Sequence, residues 1–292
     1  MDLFEAMQVF VRVVERGSFS AVARELNLGQ PAVSKQIRAL EQHLGGALFA
    51  RSTRHLALTD QGQHFYAQSK DILASLDAAR LGFANGQEQI AGSLRVTAPV
   101  SFGRLCIAPL VGQFLARHPQ VRLDLRLSDQ NEDVLKENID VAIRIGAVKN
   151  EGLVAVSLGG SPRQVYATPA YLQQYGSPLR PADLAHHNCL AFTLLEHYDV
   201  WRFERGAEQY QVTIKGNVTS NSSEAIREMV LSGLGVSLSP QWLYAADIRQ
   251  GTVVPLLADY QPLALPISAV FSQDRRRSAR TRAFVDFLRE CL

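Results

Sequence analysis

The chain has 292 residues, 47% of them hydrophobic and 20% charged, with a formal net charge of +2. That length exceeds most single compact domains, and the composition is that of an ordinary globular protein whose core needs neither a disulfide nor a metal to hold it. The charge neither requires nor excludes nucleic acid, because a small basic face can sit inside a large neutral protein.

Glu5, Arg12, Glu15 and Arg16 interrupt the apolar residues of the N-terminal segment, which therefore lacks the continuous apolar stretch of a secretion signal. No run approaches the ~20 consecutive apolar residues of a membrane-spanning helix, and the expectation is a cytoplasmic protein. Leu3, Met7, Phe10, Val11 and Val14 fall on one face of a helix over residues 3–14. Gly17 ends it, and Ser18 caps a second helix over 19–26. After a short turn at Asn27, Leu28 and Gly29, Pro31 stands in the opening turn of a third helix, where its missing N–H does no harm. Val33, Ile37, Leu40 and Leu44 give that helix an apolar face, and Gly45-Gly46 stop it. Three short helices with a tight turn between the second and third make a helix-turn-helix.

Over 48–58, Leu56 and Leu58 alternate with polar or small neighbours around a polar tip at 51–54, the pattern of a two-stranded wing. Thr59 then caps a long helix predicted over 60–88, with a stripe of Phe65, Ile72, Leu76, Ala79 and Phe83. A helix that long cannot cover its stripe on so small a preceding domain. A partner helix is the expected cover, with packing inside the same chain as the alternative. Gly92-Ser93 marks the next boundary. Strands over 94–98, 121–127 and 141–146 alternate with helices over 104–117 and 132–137, and Pro109 implies a late start or a kink in the first helix. This alternation predicts crossover units on a parallel sheet. The region from about 165 to 266 repeats the mixture, with a helix over 223–232 and a strand over 234–238. A strand near 267–271 and a helix over 278–292 close the chain.

The third helix carries the strongest functional signal. Opposite its apolar side stand Pro31, Lys35, Arg38 and Gln42, flanked by Ala32 and Ser34. Small residues early in the helix allow close approach to a major-groove floor, while Gln30, Ser34 and Lys35 can donate or accept at base edges. Arg38 suits a phosphate, and Arg51 and Arg54 on the wing would reach the flanking backbone. A merely solvated helix face is the alternative; the capped helix before it and the wing after it favour DNA.

The run from Gly17 to Leu26, GSFSAVAREL, resembles the second helix of LysR-type transcriptional regulators, and QPAVSKQIRALE over 30–41 resembles their recognition helix. Leu44-Gly45, Leu48-Phe49 with Arg51, and Leu58-Thr59 with Gly62 continue the pattern at the family's spacings. The match is close over about the first sixty residues, and the remainder agrees in length and order of elements. The resemblance implies an α/β protein: a winged helix-turn-helix over 1–59, a dimerising linker helix over 60–90, and an effector-binding domain over 91–292 resembling periplasmic solute-binding proteins. That domain would comprise subdomain I (91–164 and 267–292) and subdomain II (165–266), with crossings near 164–168 and 265–268. DNA contacts are expected from Ser18, Gln30, Pro31, Ala32, Ser34, Lys35, Arg38, Arg51 and Arg54. Carried over by position, the effector pocket would use Pro99, Val100, Ser101, Phe102, Ser128, Asp129, Arg144, Gly146, Thr168, Asn221 and Ser222. Strand ends and helix N-termini expose amides that suit an anion, although Ser222 or Ser223 could simply cap its helix. The implied partners are a double-stranded DNA operator, a small-molecule effector such as an organic or aromatic carboxylate, and further copies in a dimer or tetramer. RNA polymerase is a further candidate, and no membrane is implied.

The remaining features are weaker. Cys106, Cys189 and Cys291 are scattered, which fits neither a disulfide framework nor a zinc site and suits a reducing compartment. Buried thiols are the plain reading, and redox sensing the alternative. Gly233-Leu234-Gly235 precedes a strand, so it is not a phosphate loop. The seven histidines show no metal-ligand spacing, and no cofactor is expected. Arg275, Arg276, Arg277, Arg280 and Arg282 crowd the start of the last helix, where cations sit unfavourably against the helix dipole. No nucleophile with a base, paired carboxylates or metal cluster is visible, so an enzyme is the disfavoured reading.

Overall fold

The computed structural model describes residues 2–50, 56–85, 90–130, 132–148 and 152–292. The chain divides into two compact units, Met1–Ser93 with His118–Arg122, and Leu94–Arg117 with Leu123–Leu292. In the first unit, α1 (Leu3–Arg16) starts where Asp2 Oδ1 accepts from the amides of Phe4 at 2.9 Å and Glu5 at 3.3 Å. It ends at Gly17, whose φ of 63° is costly for any side chain with a Cβ. Ser18 Oγ caps α2 (Phe19–Glu25) by accepting from the Ala21 amide at 3.3 Å. α3 (Gln30–Leu44) follows and stops at Gly45.

Val9, Phe10, Val13, Val22, Val33, Ile37, Leu40 and Leu48 form one core among these helices. Each such side chain contributes roughly 1.5–3 kcal/mol on full burial. Phe10 is fully enclosed, its ring edge-on to Phe49 at 5.6 Å. Leu44, expected on the apolar face, is 41% exposed, because the last turn of α3 overhangs the core. An antiparallel bridge of Phe49 with Leu58 and a 2.8 Å bond from the Ala50 amide to Ala57 O form the base of the wing. Its tip, with Arg51 and Arg54, lies outside the described residues.

Thr59 starts α4 (Asp60–Asn85) by accepting from the Gly62 amide at 2.9 Å and donating to Ala47 O at 2.7 Å. A Cβ on Gly62 would stand 2.0 Å from Leu48 O, so the helix meets the wing at a spot only glycine fits. Phe65 packs on the core, whereas Ile72 is 45% exposed. The side chains of Ala79 and Phe83, and residues 86–89, are outside the described set.

In the second unit β1 (Ala91–Ala98) feeds α5 (Val100–Phe102), a π turn at Gly103–Ile107 and α6 (Ala108–Arg117). The Ala108 amide donates five residues back to Gly103 O. This widened turn carries Pro109, which has no amide to donate, into an uninterrupted helical run. The helix therefore begins at Val100 instead of 104 and absorbs the proline without a late start. β2 (Gln120–Leu127) follows. Where a helix over 132–137 was expected there are only turns, started by Asp133 Oδ1 accepting from the Leu135 amide and ended by Asn138 at φ 51°. A left-handed residue cannot propagate an α-helix.

β3 (Val141–Ile145) and β4 (Leu153–Ser161) lead to β5 (Arg163–Ala167), α7 (Pro169–Tyr175) and β6 (Ala191–Phe192). Then come the hairpin β7 (Val200–Arg205) and β8 (Glu208–Thr213), β9 (Thr219–Ser220) and α8 (Ser223–Leu231). β10 (Ser237–Pro240), α9 (Ala245–Gln250), β11 (Val254–Leu256), β12 (Gln261–Pro262), β13 (Leu265–Ser272) and α10 (Ala279–Cys291) complete the chain.

The first sheet has the order β2-β1-β3-β13-β4. β1 and β3 are parallel, but β13 is antiparallel to both β3 and β4, which corrects the expectation of a parallel sheet. The cause is topological: β13 returns from the second subdomain at the end where β4 leaves, Leu265 opposite Ser161, and must run back along it. The crossings are Pro162, alone between β4 and β5, and residues 263–264 between β12 and β13. Both lie slightly earlier than the crossings near 164–168 and 265–268 that the resemblance implied. In the second subdomain β5 sits between β10 and β11 and alternates its faces. Val165 and Ala167 join Trp201 and Phe203 in one core, while Tyr166 joins Ile226, Val230 and Tyr244 in another. The strand expected from 234 begins only at Ser237, although Val236 bridges to Cys189.

Candidate functional sites

On α3 the buried Val33, Ile37 and Leu40 fix which side is left outward. Gln30, Pro31, Ala32, Lys35 and Arg38 are exposed there, and Ser34 is half-buried. Lys35 and Arg38 have no ion-pair partner among the described residues. The cations of α1 behave differently. Arg12 and Arg16 both bond to Glu25 on α2, Arg12 Nε and Arg16 Nε at 2.8 and 2.9 Å, and Arg12 also pairs with Glu15. The Arg12 bond, followed by that of Arg16, holds the Glu25 carboxyl below the usual range. Charge is thus neutralised where helices join and left free on one outward face. The Ser18 hydroxyl is spent as an acceptor in its cap, with its proton still available to donate.

The pocket residues drawn from the resemblance separate into two groups. Asp129 Oδ1 accepts from the Val100 amide at 2.9 Å and so caps the helix that Pro99 introduces. Ser101 is 1% exposed, and its Oγ lies 2.6 Å from Ser223 Oγ in the other subdomain. Phe102 meets Trp242 edge-on at 5.2 Å, and Arg104 pairs with Glu224 at 2.8 Å. Gly146, buried at φ 104°, lies against Leu195. Ser222 caps α8 by accepting from the Ala225 amide, beside the exposed Asn221. These residues gather where the two subdomains meet.

Three others are held by bonds of their own. Thr168 caps α7 and sits by Gly233 beyond the C-terminal end of α8, roughly 12 Å of helix from Ser223 at 1.5 Å per residue. Ser128 closes a local turn by accepting from the Gln130 amide. Arg144 donates to Glu132 O at 2.9 Å, and burial holds its guanidinium below the ordinary arginine value. Ser223, Glu224, Arg104 and Trp242 were not singled out from sequence. The one available signal was Ser223-Glu224 at a predicted helix start, which reads equally well as capping.

Cys106 and Cys189 are pushed up by burial, to about 11 and about 12, so neither is a thiolate nucleophile. Among the described residues no group of three or more His, Cys, Asp or Glu could hold a metal, and no helix is long and apolar enough to cross a membrane. Within the terminal arginine cluster, Arg275 pairs with the buried Asp140 at 3.0 Å.

Comparison with known proteins places similar chains beside this geometry. The family model described as the bacterial regulatory helix-turn-helix protein, lysR family, matches residues 4–63, and that of the LysR substrate binding domain matches 87–292. The regulator CrgA of Neisseria meningitidis is 35% identical over 287 residues, 98% of this chain and 96% of that one. The regulator PtxR of Pseudomonas aeruginosa is 35% identical over 286 residues, covering 98% and 92%. The solved structure of the Neisseria CrgA protein superposes with a TM-score of 0.62 at 34% identity, covering 98% of this chain and 97% of that one.

Proposed function

The chain belongs to the LysR family of helix-turn-helix transcriptional regulators, DNA-binding proteins with an effector-binding domain, and from that premise we propose how its parts divide the task. Residues 1–59 read a double-stranded operator, 60–90 join copies of the chain into a dimer or a tetramer, and 91–292 bind the effector. The observation that carries the DNA-reading part is the outward face of α3, where Lys35 and Arg38 are exposed and have no acidic partner among the described residues. Gln30, Ser34 and Lys35 meet base edges, Pro31 and Ala32 allow close approach, and Arg38 and Ser18 serve phosphates, with Arg51 and Arg54 beyond them.

The effector is a small organic anion held where Ser101 and Phe102 meet Ser223 and Trp242. Two helix N-termini, at Val100 and Ser223, meet at that place, and the positive ends of their dipoles favour negative charge. Phe102 and Trp242 supply apolar walls suited to an aromatic carboxylate. The test is selection of DNA fragments by the purified full chain at fixed salt, followed by operator titration with a panel of small carboxylates. Enrichment of one motif whose affinity responds to a carboxylate is expected; fragments bound without preference would overturn the regulator reading. A turnover assay on the same panel should leave the carboxylates unchanged.

A further inference from the structure

Ser20 on α2 places its hydroxyl 3.1 Å from Oε1 of Gln30, the first residue of α3. Both side chains are exposed on the outward side of the helix pair, and the bond spans the turn between them. The donor is the hydroxyl, because an amide oxygen carries no proton. A carboxamide is planar, with oxygen and nitrogen on opposite sides of Cδ. Turning the oxygen toward α2 therefore leaves the Nε2 amino group on the edge that faces away.

This orientation decides what Gln30 can read. Bidentate recognition of adenine needs both atoms at one base edge, the oxygen accepting from N6 and the nitrogen donating to N7. With the oxygen engaged by Ser20, the leading edge is a pair of donors. Its full complement in the major groove is a pair of acceptors, guanine O6 and N7, whereas adenine sets the N6 donor beside its N7 acceptor. Ser20 is itself held in place: it lies in the first turn of a capped helix, and its carbonyl accepts from Arg24 Nε at 3.4 Å.

We propose that Ser20 is a specificity-positioning residue, whose hydroxyl turns the Gln30 amide so that Gln30 selects a guanine edge over adenine. The proposal rests on the reading that Gln30 meets a base. Ser20 acts through Gln30 and need not touch the base.

The experiment is fragment selection at one salt concentration with the full-length protein and its Ser20→Ala, Ser20→Thr and Gln30→Ala variants. The wild type should enrich guanine at one position, and Gln30→Ala should flatten that position alone. Ser20→Ala should shift the same position toward adenine by about tenfold in relative affinity, the scale of one bidentate base contact. Ser20→Thr, which keeps the hydroxyl, should retain the wild-type choice. An unchanged preference in Ser20→Ala, or a loss equal for all sequences, would overturn the proposal, as would wild-type enrichment of adenine there. If Gln30→Ala altered no position while others stayed selective, Gln30 would not meet a base and the proposal would fall, with the regulator assignment intact. If nothing were selected by any variant, both readings would fail.

Discussion

Ser101 Oγ and Ser223 Oγ lie 2.6 Å apart, a hydroxyl pair joining the first helical turn of one subdomain to the first turn of α8 in the other. An anion arriving at these two helix ends would have to replace that bond with bonds of its own. Ser101→Leu removes the hydroxyl and overfills a site that is 1% exposed, at a cost of about 1–3 kcal/mol. The variant should melt at a lower temperature, still bind its operator, and no longer respond to effector. Wild-type response in operator titrations would place the effector elsewhere.

Lys35 and Arg38 should separate base reading from backbone contact. Lys35→Ala should change base preference in a selection experiment, at about 1–3 kcal/mol for the preferred base. Arg38→Ala should weaken all sequences alike and lower the slope of log affinity against log salt by about one. Matching salt slopes in the two variants would contradict this division.

Ile72, 45% exposed on α4, is the most open of the described stripe residues. Ile72→Glu should shift the full chain toward smaller species in sedimentation velocity at micromolar concentration, with unchanged helix content. An unaltered distribution would remove α4 from the assembly contact.

His187 provides a pH prediction for the effector domain. Tyr171 Oη accepts from the Asn188 amide at 3.0 Å and lies 3.3 Å from His187 Nδ1, a bond whose direction follows the imidazole tautomer. Burial, aided by His186 and opposed by Asp183, holds the His187 value below the ordinary 6.5. Between the lowered folded value and 6.5 the unfolded chain binds the proton and the folded chain does not. Stability is therefore present above 6.5 and declines as pH falls through that window. Urea unfolding from pH 8 to 5 should show a shallower decline in His187→Gln; equal slopes would refute the assignment.

Much of the first unit was readable because local chemistry decides it. Gly17, Ser18 and Gly45 each mark a helix end by backbone need or side-chain capping, and each does so in the structure. Leu44 misled because periodicity continues to the last turn whether or not core lies beneath it. Further along, decisions pass to distant partners. Asp133 to Glu137 have the composition of a helix, but Asn138 takes a left-handed conformation that stops it after a turn. Position likewise pointed to Ser101, Phe102 and Gly146, which lie where the subdomains meet, and to Thr168, which sits by Gly233 beyond the opposite end of α8. Trp242 gave no signal, since its role depends on Phe102, far away along the chain.

The two crossings have a mechanical consequence. Pro162 spans one of them alone, with φ confined by its ring, and residues 263–264 span the other. Arg163 Nε ties them together by donating to Leu263 O at 2.9 Å, the Gln241 amide donates to Pro162 O, and Trp242 Nε1 donates to Ser161 Oγ at 2.9 Å. So laced, the pair resists sliding and stretching and yields most easily to rotation about a line through both crossings. The subdomains then act as levers: a few degrees of twist near Pro162 move the far ends of the sheets by ångströms, while residues beside the axis hardly shift. Trp242, bonded at the axis and seated against Phe102, is among the residues that hardly shift.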